Sequence, residues 1–481
     1  KKTSKPSTPN SSKPFDAQGF HDRYRKRSAP VSVDKRDARG DDLEEMGEET
    51  KAEGHDAEKR SVLPAGCHTH DVDPKYAFLT TGRKDADGRT PDDPNFNART
   101  LKVDWHNGLV KSLTATQQTW WQVKETHADC VLFYKIGKFY ELYHTDADVG
   151  VAEAGLVYMK GEQAHAGFPE LAYGKYVEVL VSKGFKVCRV EQTETPAETK
   201  VRIKGKSLSK LEKGMRREVC SLTTPGTRLY TVLDMRLEKE GGGFEPVSGS
   251  THLAAVCENN GTIGVCVCDS PTGTFTLAQF EDDAQRTRLR TLLAALPPAE
   301  VLVPRGSKDL AEICERSTGA SVERLTPERE FWSSDQCVEY LSICGAFPKS
   351  SKQGNSDDVS ARWPNVLRTA VRGKADVALS SLGAVAWWLR RALVDVELLS
   401  MRRVDAYVPP DLGEAPEVTL GFVAHDEATL IEAALAVTSV EDEDDDWRAS
   451  LRRKAPRMAL DATTLKNLEV LKSSALDGVS G

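Results

Sequence analysis

The sequence contains no apolar run approaching the ~18 residues that a membrane-spanning helix needs. Its longest, around Leu382 to Leu389, is far shorter. No basic segment followed by an apolar stretch opens the chain, so no secretory signal is expected and membrane and secreted classes are set aside. The 10 cysteines include no Cys-x-x-Cys pair. Cys266 and Cys268 alternate within an apolar strand-like run and the rest are scattered, as buried free thiols of a reducing compartment would be. Cys67-His68-Thr69-His70 has metal-binding residue types but no second ligand cluster at finger-like spacing, so no metal site is expected there. Catalytic signatures are missing too: there is no GxSxG, no HExxH, and no GxGxxG following a strand. Gly205-Lys206-Ser207 has the ending of a phosphate loop. Lys200 stands where the first glycine would be required, and no apolar strand leads into it, so no phosphate cradle is expected.

What remains is a chain of 481 residues, enough for three domains at roughly 150 residues each. Hydrophobic residues make up 39% and charged residues 29%, as in globular domains joined by some unpacked polar sequence. The net charge of −8, from 65 basic and 73 acidic side chains, excludes a uniformly basic nucleic-acid-coating protein. Local bias is stronger than the average. Residues 1–40 carry 11 basic and 4 acidic groups, whereas residues 41–58 carry 9 acidic and 1 basic. Only 12 of the first 60 residues are hydrophobic, too few to offset the ordering entropy, so residues 1–61 are expected to form a disordered charged arm. The chain starts at Lys1 rather than Met, so further sequence is expected upstream, and the fold is expected to continue beyond Gly481.

Order is expected to begin gradually at Val62 and firmly near Leu101. Cys130 to Ile136 reads as a strand, Gly137-Lys138 as a turn, and Phe139 to Tyr143 as a second strand. Ala147 to Ala154 reads as a helix and Lys186 to Val190 as another strand. Lys200 to Arg217 then collects 8 basic residues against one acid, Glu212, either a solvated face or a backbone-contacting patch. Gly241-Gly242-Gly243 marks a linker. Beyond it His252 to Cys257 and Ile263 to Cys268 pair across a Glu258-Asn259-Asn260-Gly261 tip, and Thr274 to Phe280 adds a third strand. A helix capped by Asp282 or Asp283 runs to about Leu296, and Val301-Leu302-Val303 is a buried strand. Three antiparallel strands, a helix and a further strand are similar to the ribonuclease-H-like plan. Lys349 to Ser360 reads as a polar insertion. From Ala375 apolar residues recur at helical spacing, and a third, α-helical unit is expected. The acidic run Glu441 to Asp446 reads as a solvated loop.

A ribonuclease-H-like unit raises the question of a nuclease. Asp269 ends a strand whose likely neighbours are Cys, Val and Thr, and Glu281 to Asp283 sit where helix capping explains them, so no two-metal carboxylate cluster is expected. The informative stretch is Phe133 to Tyr143. Gly137 permits a tight turn among two lysines and five aromatics, and Phe139 and Glu141 share one face of an extended segment. A carboxylate beside an aromatic ring suits a surface where the ring wedges between base steps and the acid meets a displaced base edge. Equally, Phe139 can be core and Glu141 solvated, and spacing alone favours that plainer reading.

Gly137-Lys138-Phe139-Tyr140-Glu141-Leu142-Tyr143 resembles the mismatch-recognition motif of the MutS family of DNA mismatch repair proteins. Leu156 to Gly161, Ala164 to Glu170, Arg189 to Pro196, Arg216 to Val219 and Thr224 to Thr227 are similar to that family's first domain. Leu379 to Met401 and Met458 to Glu469 resemble its connector-to-lever region, so the likeness spans roughly residues 100–480. The variant resembles the mismatch-reading subunit of the eukaryotic MutS-alpha heterodimer. The resemblance implies a multidomain α/β protein: a mixed α/β mismatch-binding domain at 62–230, a ribonuclease-H-like connector at 231–374, and the start of an α-helical lever domain at 375–481. It also implies recognition of base–base mispairs and small loops in mismatched double-stranded DNA. Phe139 would stack on the mispaired base and Glu141 would hydrogen-bond it, with Lys135, Lys138, Met159, His165 and Arg217 as further DNA-facing candidates. A second MutS-homologue subunit, MutL-type repair partners and a nuclear location follow from the same likeness. ATP and magnesium are expected only for the longer protein, because the family's phosphate loop lies after the lever region, and no ATPase activity is expected of this chain. The alternatives are a protein-interaction scaffold with the aromatic strand as core, and a metal-dependent nuclease.

Overall fold

The first strand shows why this chain builds sheets that are covered on both sides. Cys130–Ile136 (β1) is apolar for most of its length, and its first six residues are all buried, the pattern of a central strand. A computed structural model describes this and the other residues within 68–106, 109, 113–160, 163–208, 212, 214–229, 250–347 and 363–412. The expected arm at 1–61, the triple-glycine linker, the polar insertion at 349–360, the acidic run and the Met458 to Glu469 stretch lie outside the described residues.

In chain order the N-terminal elements are α1 (Thr69–Val72), α2 (Ala115–Thr126), β1, β2 (Phe139–Tyr143), α3 (His144–Ala154), β3 (His165–Pro169), α4 (Tyr173–Ser182), β4 (Lys186–Gln192), α5 (Pro196–Ile203) and β5 (Arg217–Thr223). The strands run β3-β2-β1-β4-β5 across the sheet. β1 and β4 are parallel, with Cys130 opposite Lys186 and Tyr134 opposite Val190, and β4 and β5 are antiparallel. The described residues divide into two compact units, one holding residues 129–140 and those from 169 onward, the other those up to 128 together with 141–168.

Aromatic packing organises the smaller unit. Thr114 and Gln117 form a capping box that starts α2 and directs Trp120 and Trp121 inward. Trp121 packs edge-on against Phe78 at 5.2 Å, and Tyr76 lies 5.0 Å from the His144 ring. Tyr76 and Phe78 both pack on Trp121, so a core is present in the segment between Val62 and Leu101 where order was expected to set in gradually. His144 is fully buried with φ +51, and burial holds its pKa well below the ordinary value.

The larger unit carries the second sheet. Its elements are β6 (His252–Asn259), β7 (Thr262–Asp269), β8 (Thr274–Glu281), α6 (Thr287–Ala295), β9 (Pro298–Pro304), α7 (Lys308–Thr318), β10 (Ser321–Leu325), α8 (Ser334–Ile343), α9 (Asn365–Arg372), α10 (Asp376–Ala392), α11 (Asp395–Ser400) and β11 (Arg403–Ala406). The order is β10-β9-β6-β7-β8-β11, with β6, β7 and β8 antiparallel and β9 parallel to β6. The expected three antiparallel strands, helix and further strand are all present. α6 begins later than expected, since Arg286 is left-handed at φ +56. Asp283 caps the Thr287 N–H, and Asp282 accepts from Arg288 and Leu289.

Strand alternation divides the core of this unit. Leu253, Ala255, Cys266, Cys268 and Leu277 face α8 and α10, while Ala254, Val256, Val265 and Val267 face α6 and α7. Helix α10 starts at Asp376, beside the boundary expected at residue 375. It lies on the second sheet, where Gly264 lets the helix start come so close that a Cβ would fall 2.3 Å from the Val377 carbonyl carbon. Gln279 Oε1 accepts from the Val377 and Ala378 N–H groups at 3.1 and 3.0 Å, satisfying two of the helix's orphan donors. Helical periodicity locates α10 but cannot show which sheet it covers.

The C-terminal end of α10 meets a buried polar joint. Arg391 binds both oxygens of Asp129 at 2.6 and 3.2 Å, and Lys186 bridges Asp129 and Glu323 at 3.0 and 2.6 Å. Glu300, fully buried on β9, accepts from Thr224 Oγ1 at 2.5 Å, Trp388 Nε1 at 3.1 Å and the Gly226 N–H at 3.3 Å. Thr224 to Thr227 is thus a packing motif. A Cβ on Gly226 would lie 3.0 Å from Leu253 and 3.1 Å from Glu300.

Candidate nucleic-acid interface

The turn between β1 and β2 sets the geometry of the candidate site. Gly137 sits at φ +58, a conformation that costs a side-chain-bearing residue, and Lys138 beside it is exposed. The Lys138 carbonyl accepts from the Glu170 N–H at 2.9 Å, which anchors the turn. Beyond it β2 alternates. Tyr140 and Leu142 are fully buried, whereas Phe139 is 45% exposed, an unusual position for a large apolar ring and contrary to the core reading of this strand. Tyr140 is fixed on the opposite face, where its hydroxyl donates to Glu191 and accepts from Arg189 Nε at 2.9 Å.

Glu141 is held rather than solvated. Its Oε2 accepts from Tyr143 Oη at 2.5 Å and meets His165 Nε2 at 2.9 Å. The Tyr143 and His165 rings stack at 4.8 Å with 8° between their planes. His165 comes from β3, 24 residues along the chain, and its carbonyl accepts from the Met159 N–H at 2.7 Å. Met159 and Val157 are 37% and 80% exposed, while Tyr158 between them turns away to donate to Asp148 at 2.8 Å. Sequence reasoning passed over Tyr143 as the second donor to Glu141, although a separation of two residues on one strand face was the available signal. Val157 carried no signal apart from its apolarity.

Two further candidates have structural duties. Lys135 is buried, paired with Glu170, and lies 4.7 Å over the Tyr140 ring. Arg217 donates from Nε to the Lys135 carbonyl at 2.9 Å and lies 5.1 Å from the Tyr134 ring. The basic stretch divides in the same way. Arg202 is clamped by Glu194 at 2.6 and 2.9 Å, and this guanidinium holds the Glu194 carboxyl down at about 2. Lys200, Lys204, Lys206 and Arg216 are exposed and remain available to phosphates.

Gly205-Lys206-Ser207 follows helix α5 rather than a strand. His70 Nε2 meets Asp148 at 2.9 Å, and Cys67 lies outside the described residues. Among the described residues no group of three or more His, Cys, Asp or Glu side chains is arranged to hold a metal ion. Asp269 accepts from Thr272 Oγ1 at 2.6 Å, a turn contact. No described helix is long and apolar enough to cross a membrane.

Two mixed sheets in succession, the first presenting an exposed aromatic and a fixed carboxylate on one strand, define a two-module α/β protein. The modules match known domain families: MutS domain I over residues 114–232 and MutS domain II over residues 251–392. The chain belongs to the MutS family. It is 36% identical over 420 residues to the DNA mismatch repair protein Msh6 of Homo sapiens, covering 83% of this chain and 28% of that protein. It is 33% identical to the DNA mismatch repair protein MSH6 of Arabidopsis thaliana, over 85% of this chain and 28% of the relative. The DNA mismatch repair protein MutS of Staphylococcus epidermidis is 27% identical over 48% of this chain and 24% of its own length. The chain thus spans about a quarter of the length of each of these relatives. Domain II ends with α10, at residue 392, which agrees with the packing of that helix on the second sheet.

Proposed function

We propose that this chain recognises mispaired bases and small loops in double-stranded DNA, with Phe139 as an intercalating wedge and Glu141 as the group that meets the displaced base. The exposure of Phe139 at the start of a strand whose next residue is fully buried carries this reading. Inserting an apolar ring costs a few kcal/mol of unstacking and is offset by the contacts a kinked duplex permits. A mispair is already weakly stacked, so the cost is lower there than at a paired step, and preference arises without reading flanking sequence. Lys138 and the exposed Lys200, Lys204, Lys206 and Arg216 supply sequence-independent, salt-dependent affinity for the backbone. Met159 lies close enough to His165 to line the same surface.

Within the longer protein, the relatives' mismatch-repair role supports a nuclear heterodimer with a second MutS-homologue subunit, engagement of MutL-type partners, and an ATP- and magnesium-dependent cycle carried by regions outside the matched domains. The test is anisotropy of labelled G·T and matched duplexes at one fixed salt concentration, with wild type and Phe139→Ala side by side. Stacking of a base on an aromatic ring is worth about 1–3 kcal/mol, so mismatch preference should fall by about fivefold or more in a folded Phe139→Ala chain. Equal binding of both duplexes by wild type, unchanged by the substitution, would refute the proposal.

A further inference from the structure

We propose that His165 and Tyr143 are positioning residues for Glu141, clamping one carboxylate oxygen between an imidazole and a phenol so that the side chain meets a base in a single orientation. The inference rests on the mismatch-reading function proposed above and names the groups that make its carboxylate selective. A lone glutamate on a strand has several rotamers and repels phosphates, so its contribution to base recognition would be spent on ordering it. Here that ordering is already in place. Tyr143 Oη and His165 Nε2 converge on the same Oε2 at 2.5 and 2.9 Å, and the two rings brace each other in a 4.8 Å stack.

The support continues behind both rings. Tyr143 packs edge-on against buried Trp120 at 6.0 Å, so its hydroxyl is aimed by the core. The His165 backbone is tied to Met159, and the next residue, Ala166, bridges to Tyr158. His165 therefore cannot follow Glu141 if the carboxylate swings away. An ionised carboxylate can only accept, so against it the imidazole acts as donor through Nε2–H. A carboxylate oxygen with two donors on it keeps an acceptor's role, and the base-edge groups it suits are N–H donors, such as the imino and amino groups freed when a pair is broken. His165, expected to face DNA directly, thereby acts on the mispair through Glu141.

The test uses the 481-residue chain and the same G·T and matched duplexes at fixed salt, with circular dichroism melts to confirm folding. Five variants are compared with wild type and Phe139→Ala: His165→Leu, His165→Gln, Tyr143→Phe, Glu141→Ala and the Glu141→Ala/His165→Leu double variant. Charge-assisted hydrogen bonds are the stronger class, so His165→Leu should lower the mismatch-to-matched affinity ratio by about tenfold. Tyr143→Phe, which keeps the ring stack, should lower it by about threefold. His165→Gln, whose amide can donate from nearly the same place, should recover most of the ratio, and His165→Leu should change nothing further once Glu141 is Ala. A His165→Leu chain that keeps its preference while Phe139→Ala loses it overturns the positioning role and leaves the wedge intact. So does an equal loss on both duplexes, or a loss that persists without Glu141, since His165 would then serve the backbone or the fold. Wild type with no preference, unaffected by Phe139→Ala, overturns the mismatch reading and this inference together.

Discussion

Replacing Glu300 by Gln should remove a specific pH dependence from the stability of the larger unit. The carboxyl is fully buried, and burial, followed by the negative charge of Glu323, raises its pKa from 4.5 to about 7 against the opposing pull of Lys186, Thr224 and Gly226. Its Oε1 has no partner among the described residues, so the ionised form is incompletely satisfied. Below about pH 4.5 the group is protonated in folded and unfolded chains alike. As pH rises towards 7 the unfolded chain releases the proton while the folded chain retains it, so stability falls across this window and the loss is complete above it. At 1.36 kcal/mol per unit, the shift corresponds to roughly 3 kcal/mol. Glutamine retains an oxygen for Thr224, Gly226 and Trp388 and carries no charge at any pH. Urea unfolding followed by tryptophan fluorescence from pH 4.5 to 8 should therefore show the wild-type unfolding free energy dropping relative to the variant's by that amount. Parallel profiles for the two chains would refute the argument, because they would mean that Glu300 ionises in the folded state as readily as in water.

The neighbouring contacts make further predictions. Gly264→Ala places a methyl against the Val377 backbone and should cost about 3 kcal/mol, the upper end for overpacking, read as a lowered urea midpoint. Arg391→Met removes one cation from buried Asp129, which keeps its 3.0 Å ion pair with Lys186, and should cost about 3 kcal/mol, the usual penalty for breaking a buried ion pair. A melting temperature within a degree or two of wild type would contradict either estimate.

The β1–turn–β2 segment was legible because its signals are local. A mostly apolar seven-residue run, a glycine able to adopt positive φ, and period-two alternation place the turn and both strands at the residues where they are found. The hairpin of β6 and β7, its Asn-Gly tip and the following β8 were readable for the same reason. Strand β3 was not. Its His-Ala-Gly-Phe-Pro sequence is short, with a glycine and a proline that weaken any strand signal, and only pairing within the sheet makes it a strand. Segment 69–79 carries few apolar residues and little local signal, and Tyr76 and Phe78 find their core in Trp121, which is distant in the sequence.

The candidate site divides along the same line. From the residue order alone came the family resemblance, the turn, and the common face of Phe139 and Glu141, since all three depend on neighbours in the chain. Whether Phe139 is core or surface could not be read there, because exposure depends on what other segments cover. The same holds for the lysines and arginines. Lys135 and Lys138 are three residues apart and equally basic, yet one is buried against Glu170 and the other is exposed. The partners of Glu141 and Glu300 arrive from strands, helices and turns 24 to 88 residues away, together with one immediate strand neighbour. Local sequence determines which elements form, because backbone conformation and alternation are set by adjacent residues. The tertiary fold alone decides which charges are paired and which carboxylate is held for use, because those energies depend on burial and on groups brought together across the chain.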